Sequence, residues 1–400
     1  MQVTEGALQG FKYAPAFLAM LKELHAISDH PNRDLHYDEY ITLMLLYFFN
    51  PMLTSLRSIQ KASTFEKVQR LLKVKATSLG SLSEASQVFD AQHLVPVIRE
   101  LARHAQPLET DSRLENIERA VVAVDGTLLR ALPRMLWALW LNDENRAAKL
   151  HLALDIKSSM PQGALITQGN GNEKTVLREY FMHPGKLFVL DAAFAEYKLL
   201  SEIISEKSSF VVRIKDNAVW ETVEEQPLQK EDREAGVQRD MIAWLGSKSK
   251  KEDLTSRVRI IQIFHKGDPS LRRRSHVSSK KCVRTTDIDY TFLLATDCMD
   301  LSAETIAILY RYRWHIELFF RWFKCVLGCK HLLAISPNGV SIQVYCALIA
   351  SILITLWTGH KPTKRTFEML AFYFMGWASK EELFDYIEKL NEQPVKKTNA

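Results

Sequence analysis

The sequence predicts an α/β chain: a mixed sheet with helices packed on it, preceded by a helical region and interrupted by a β-rich insertion. Three observations predict it. Short apolar runs in the middle of the chain end at acids: Ala120–Val124 before Asp125, and Leu187–Leu190 before Asp191. A helical pattern over Ala195–Glu206 leads into a further strand, Phe210–Ile214, the order expected of a sheet with helices on it. The first hundred residues carry helical signals, whereas 218–285 turns polar and strand-bearing.

Taken in order, Tyr37–Phe49 is strongly apolar and stops at Asn50-Pro51, a helix terminator. Ser63 with Glu66, and Ser81 with Glu84, have capping-box spacing and predict two helix starts, with a polar turn over Leu72–Gly80. Two short helices so joined fit a helix-turn-helix and equally an ordinary helical hairpin. Pro107–Asn116 reads as a polar linker. Lys149–Asp155 alternates, with Leu150, Leu152 and Leu154 on one face, and Gly163–Thr167 is apolar again. In the insertion, Arg257–Phe264 and Tyr290–Ala295 read as strands, and Lys248–Lys251 and Arg272–Lys281 are basic runs. Leu301–Cys325 reads as one long helix. The C-terminal part is helical and ends in a polar tail from Glu392.

Composition excludes several classes. The 400 residues are 47% hydrophobic and 25% charged, which rules out wholesale disorder and collagen-like repeats. The net charge of +5 is compatible with nucleic acid without requiring it. Five cysteines in a chain of this length form no disulfide framework and suggest a reducing compartment. Cys325, Cys329 and His331 lack a second ligand pair at zinc-site spacing. No signal peptide is evident. The apolar run Val344–Thr358 falls short of the ~20 residues a membrane span needs, so a buried core helix is expected.

The chemistry is concentrated after Leu301. Tyr310, Arg313, Glu317 and Lys324 are spaced by three, four and seven residues. On one regular helix they fall within an arc of roughly 60°. A plain ion-pair stripe explains the charges. It does not explain their setting among Trp314, Ile316, Phe319, Phe320, Trp322 and Phe323, where charges need partners. Asp125 and Asp191 extend the pattern. Singly, each has an ordinary explanation, as a turn residue and a helix N-cap. Together with Glu317 they make three carboxylates in apolar settings, hard oxygen donors suited to magnesium and to two-metal phosphodiester chemistry.

The motif Tyr310-x2-Arg313-x3-Glu317-x6-Lys324 is similar to the Y-x2-R-x3-E-x6-K signature of DDE transposases of the insertion sequence 4 family, in every residue and every spacing. "AVVAVDGT", "KLHLALD", "FVLDAAF" and "YRYRWHIELFFRWFK" extend the resemblance over roughly residues 35 to 355. It implies a ribonuclease-H-like mixed sheet with flanking helices, split into 117–217 and 301–360 by a β-rich insertion at 218–300. A helical DNA-binding domain at 1–110 precedes it, and a helical segment and tail at 361–400 follow.

The resemblance further implies that Asp125, Asp191 and Glu317 are catalytic ligands of two Mg²⁺ or Mn²⁺ ions, and that Tyr310, Arg313 and Lys324 hold DNA phosphates. It implies double-stranded DNA, both transposon ends and target, as partner. It also implies a homodimer in the synaptic complex, no membrane, and a bacterial cytoplasmic, nucleoid-associated location. The activity implied is binding of terminal inverted repeats, metal-dependent cleavage and strand transfer. A DNA-binding derivative without cleavage is the alternative. In some relatives an insertion-domain Trp traps a flipped base; Trp220 and Trp244 are the candidates here, and core packing suits either. "DAAF" lacks the glycine often found after the second acid. "VDGTLL" at Val124–Leu129 also resembles a phosphatase motif, but Ala123 stands where that chemistry needs a nucleophilic Asp.

Overall fold

The computed structural model describes residues 14–27, 34–50, 52–105, 112–132, 134–140, 145–246, 253–266, 289–325, 332–361 and 363–392. The chain divides into two units. One comprises 1–109, 126–171 and 317–400; the other comprises 110–125 and 172–316. Strand β1 (Ala120–Arg130) contributes its first half to the second unit and its remainder to the first.

The helical unit is organised by one apolar helix. Its helices in chain order begin with α1 (Ala14–His25), α2 (Tyr37–Phe49), α3 (Leu56–Ser63), α4 (Glu66–Leu72), α5 (Leu79–Val88) and α6 (Leu94–Arg103). The strands β2 (Ala147–Asp155) and β3 (Pro161–Gln168) form an antiparallel pair beside them. In the other unit lie α7 (Ser112–Glu115), α8 (Glu173–Val176), α9 (Tyr197–Ser205), α10 (Lys230–Glu234) and α11 (Ala303–Tyr312). The chain returns to the helical unit at Glu317, within α12 (Trp314–Cys325), and continues there with α13 (Pro337–Thr358), α14 (Lys364–Phe374) and α15 (Lys380–Glu392).

Ser336 accepts from Gly339 N to cap α13, Pro337 opens it, and Gly359 closes it at φ +71°. This helix is apolar all round and packs on α2, α5, α6 and β3. At 22 residues it is longer than the apolar run suggested and long enough to cross a membrane. Even so, 94% of its most apolar window is buried inside the protein. Asn338 ties it to the α5–α6 connection: Nδ2 donates to Ser86 O and Phe89 O, and Oδ1 accepts from Ala91 N. Tyr345 Oη donates to Ala164 O of β3.

The other unit is a mixed sheet. It adds β4 (Lys186–Leu190), β5 (Ser209–Ile214), β6 (Trp220–Glu225), β7 (Val237–Leu245), β8 (Val258–His265) and β9 (Tyr290–Thr296). The strands β1, β4 and β5 run parallel; β5, β9, β8, β7 and β6 follow antiparallel. The strands β6 to β9 therefore continue the sheet through β9 on β5. One face of the sheet carries α11, which packs on β4, β5 and β7.

Several expectations need correction. Asp125 does not end its strand: β1 runs on through the strand-forming Thr127, Leu128 and Leu129 to Arg130. The stretch Leu301–Cys325 is two helices, α11 and α12, meeting at Arg313. There Arg313 N donates to Tyr310 O and Ile316 N to Arg313 O, bonds of i to i+3 spacing. A turn tightened to ~3 residues breaks the uniform 3.6-residue period on which the single 60° arc rested.

Neither proposed capping box forms. Ser63 ends α3 and its hydroxyl accepts from Thr77 N, while α5 is capped by Ser78, with Ser81 inside the helix. The alternation of β2 is not amphipathic, because His151 and Ala153 are as buried as the leucines between them. The basic runs at 248–251 and 272–281, Cys329, His331, the tail from 393 and the first half of the linker, 107–111, lie outside the described residues.

Candidate active site

The sheet brings Asp125 and Asp191 together. Parallel β1 and β4 pair Ala120 with Lys186 and continue one for one to Ala123 with Val189. The pairing ends there, and Asp125 and Asp191 each follow two residues later (123 + 2 and 189 + 2), so continuing the same register past Leu190 would set the two acids side by side. Paired residues of adjacent parallel strands lie ~4.8 Å apart, with side chains on the same face. Asp191 keeps an extended backbone, φ −81° and ψ 178°, past the end of β4. It is also the N-cap that the sequence allowed, since its Oδ1 accepts from Ala193 N at 2.8 Å at the head of a single 3₁₀ turn, Ala192–Phe194. Both acids are half-buried. Their strands are otherwise apolar, with Val121, Val122, Ala123, Leu187, Phe188 and Val189 fully buried. The carboxylates therefore emerge beside a dry run of sheet, Asp191 at the carboxyl end of β4 and Asp125 part-way along β1.

Tyr310 and Arg313 belong to the same surroundings. The Tyr310 phenol is held above its usual pKa, chiefly by burial and further by the negative charge of Asp191, against the opposing pull of Arg313 and Arg213. It therefore remains a protonated donor at neutral pH. The Arg313 guanidinium lies 5.8 Å from the centre of the Tyr310 ring, and that ring tilts against Phe292 at 5.6 Å.

Arg213 was not singled out from the sequence. It projects from β5, the strand next to β4, with its guanidinium 5.4 Å from the Phe292 ring centre and 5.9 Å from that of Tyr290. A cation inside the apolar run "FVVRI" was the signal that could have found it. Two acids, a phenol and two guanidiniums thus come from β1, β4, β5 and the end of α11.

Glu317 and Lys324 both lie on α12, half-buried and seven residues apart, hence on one face of that helix. They belong to the other unit. Among the described residues, no group of three or more His, Cys, Asp or Glu side chains is arranged to hold a metal ion. The two sheet acids supply hard oxygen donors of the type divalent magnesium takes, two carboxylates leaving coordination sites for water and phosphate.

A second arrangement holds α11 in place. Arg259 of β8 is buried and pairs with Asp240 of β7: Nη2 to Oδ2 at 2.6 Å and Nε to Oδ1 at 3.2 Å. Its Nη1 donates to Cys298 O at 3.1 Å and also to Leu301 O. Asp232 accepts from Gln229 N and, with its other oxygen, from Glu304 N in the first turn of α11. The segment holding β7, β8 and α10 thereby clamps the start of α11, the helix that leads to Tyr310 and Arg313. Trp244 sits on β7 under the Arg257 guanidinium, 5.5 Å from its ring centre.

Several known proteins are similar to this chain. A probable transposase for insertion sequence element IS5377 from Geobacillus stearothermophilus is 28% identical over 240 residues, 60% of this chain and 56% of that protein. A putative transposase, y4zB, from Sinorhizobium fredii is 28% identical over 219 residues, 54% of each. The chain thus spans a little over half the length of these two relatives. A putative transposase for insertion sequence element IS4SA from Synechocystis is 21% identical over 331 residues, 82% of this chain and 83% of that one.

Among solved structures, the piggyBac transposase synaptic complex with hairpin DNA superposes at a TM-score of 0.39 and 12% identity, covering 95% of this chain and 78% of that one. A likeness that low carries no argument. The model of the transposase DDE domain matches residues 117–353, more than half of the chain and the whole stretch from Asp125 to Lys324, and the chain belongs to that family.

Proposed function

We propose that the protein is a cut-and-paste transposase that binds the terminal inverted repeats of an insertion sequence, cleaves DNA there and transfers the strand to a target. The observation that carries this reading is the placement of Asp125 beside Asp191, with Tyr310, Arg313 and Arg213 in the same surroundings. The parallel β1, β4 and β5 with the antiparallel β2–β3 pair support a ribonuclease-H-like core. In this reading 1–110 is a DNA-binding domain, 218–300 an insertion, 117–217 and 301–360 the two parts of the core, and 361–400 a C-terminal segment.

Asp125, Asp191 and Glu317 are the residues proposed to hold Mg²⁺ or Mn²⁺. When bound, such ions activate the attacking oxygen and stabilise the leaving one. The remaining work falls to the chain itself. Arg313 and Arg213 offer planar guanidiniums for a two-point grip on phosphate, and Lys324 offers a point charge. The protonated Tyr310 phenol donates a hydrogen bond to a phosphate oxygen. The apolar strands behind the acids keep bulk water from the reacting ester on that side. Phosphoryl transfer depends on such positioning and charge stabilisation. The active species is a homodimer on paired DNA ends in the nucleoid.

The test is cleavage of a duplex carrying the element's ends with Mg²⁺ or Mn²⁺. Asp125→Ala, Asp191→Ala and Glu317→Ala should each abolish nicking while retaining DNA binding. Normal cleavage by any one variant removes that residue from the mechanism. Binding without nicking by the unaltered protein favours the non-cleaving derivative.

A further inference from the structure

The surplus charge of the whole chain is concentrated in one short stretch of the helical unit. Residues 52–83 hold six cations, Arg57, Lys61, Lys67, Arg70, Lys73 and Lys75, and one acid, Glu66. Their surplus of +5 (six less one) equals the formal net charge of all 400 residues, so the rest of the chain is balanced. Every residue of the stretch is described, and all six cations are exposed. Among the described residues none of the six forms an ion pair. Arg103, Arg113, Arg119, Arg178, Arg239 and Arg259, by contrast, are each paired with a carboxylate. An ordinary solvated surface mixes the two signs, as those pairs do.

The cations stand on ordered backbone. On α3, Arg57 and Lys61 are four residues apart and face away from the buried Ile59, Ala62 and Ser63. On α4, Lys67 and Arg70 are three apart and share a face. Lys61 Nζ lies 5.9 Å from the ring centre of the exposed Phe65, the N-cap of α4, which carries the basic surface from one helix to the next. Gln69 Nε2 donates to Ser63 O, and Thr77 N to the Ser63 hydroxyl, so α4 and the turn after it are tied to α3.

Lys73 is a second, independent sign. It ends α4 in the left-handed region, at φ +54° and ψ +37°. That position ordinarily takes glycine or asparagine, because a Cβ there crowds the following carbonyl oxygen. A lysine at a glycine position, inside a run of cations, points to a role for its charge. The next helix differs. Glu84 is the one charged side chain of α5, which packs on α3 and α13. A helix-turn-helix made of α4 and α5 would send this acidic helix into a groove lined by phosphates.

We propose that the helical unit meets duplex DNA through α3, α4 and the turn at Lys73–Lys75, with six phosphate contacts on one basic face, and that α5 supports this face instead of reading a groove. Free cations on an enzyme that cuts DNA fit the phosphate backbone, whose recognition needs charge and no particular sequence. The proposal rests on the transposase reading and assigns the contact face of its helical domain.

The experiment uses the full chain and an end-labelled duplex of mixed sequence, with binding read by anisotropy across a range of salt. Six phosphate contacts give log K against log salt a slope of about −5 from this face alone. Lys67→Gln, Arg70→Gln and Lys73→Gln combined should reduce the slope by about 3 and keep the parent's Tm. Removing the same charge elsewhere, by Lys198→Gln, Lys230→Gln and Lys389→Gln, should change it by less than about 1; an equal fall means that net charge alone attracts DNA and overturns the face. Lys73→Gly should hold or raise Tm, since glycine accepts φ +54°, and still reduce the slope by about 1. Ser83→Ala with Gln87→Ala, exposed on α5, should bind within about twofold of the parent. A slope unchanged in both the first triple variant and Lys73→Gly overturns the face. A large loss from the α5 pair then assigns the contact to α5, and a fall in mass by light scattering assigns the basic face to contact between copies of the chain. In each of these cases the transposase reading stands; no binding by the unaltered protein overturns both.

Discussion

Removing the Asp240 carboxylate isolates the contribution of β7 and β8 to the placement of α11. Arg259 and Asp240 are 7% and 4% exposed, so Asp240→Ala leaves a guanidinium in the interior facing only the Cys298 and Leu301 carbonyls. An uncompensated buried charge of this kind costs about 3–5 kcal/mol. Replacing both partners, as in Asp240→Leu with Arg259→Met, removes the desolvation of two ions. It leaves two carbonyls short of a donor, at about 1 kcal/mol each, or roughly 2 kcal/mol in all. The double variant should therefore be more stable than Asp240→Ala alone by about 1–3 kcal/mol.

Urea unfolding followed by fluorescence gives the stabilities, and hydrogen exchange reports the opening of β7, β8 and the first turn of α11. Both carbonyls precede Ser302, the α11 N-cap, so exchange there should quicken in Asp240→Ala. A loss under 1 kcal/mol, or a double variant less stable than the single one, refutes the reasoning.

Other outcomes follow from the same structure. His151 is buried, and its pKa is pushed down to about 4 by burial and by Lys149. Since Thr167 Oγ1 donates to Gln168 O, the imidazole Nε2–H donates to Thr167 and the neutral ring is the folded form. The unfolded chain takes up this proton near pH 6.5, so stability is full above that pH and falls towards pH 4. The loss is roughly 3 kcal/mol, which His151→Asn should not show in matched pH titrations of unfolding. Asn338→Ala removes three hydrogen bonds between α13 and the α5–α6 connection and should cost about 3 kcal/mol, read as a lowered Tm. DNA affinity should fall steeply with salt, and Arg313→Ala or Arg213→Ala should each reduce the slope of log K against log salt by about 1. A flat salt response removes the phosphate contacts.

Local chemistry was legible in the sequence because it depends on neighbours in the chain. Apolar periodicity and Asn50-Pro51 bounded α2 at Tyr37–Phe49, and the run before Asp191 ended where β4 ends. Capping at α5 failed where two serines competed, Ser78 taking the place expected of Ser81, and at α4 because the Ser63 hydroxyl is engaged by Thr77 N. The long helix failed at Arg313 for a related reason. A one-residue tightening leaves no mark on composition, yet it rotates everything beyond it.

The sequence by itself determined which residues carry charge into apolar surroundings, and at what spacing. It named the acids and the family signature without needing coordinates. Only the tertiary structure decided that Asp125 stands beside Asp191, that Arg213 joins Tyr310, and that Arg259 and Asp240 meet inside the sheet. Those depend on the pairing and packing of segments up to 97 residues apart (310 − 213), and strand register is set by the summed burial of whole strands rather than by any one residue.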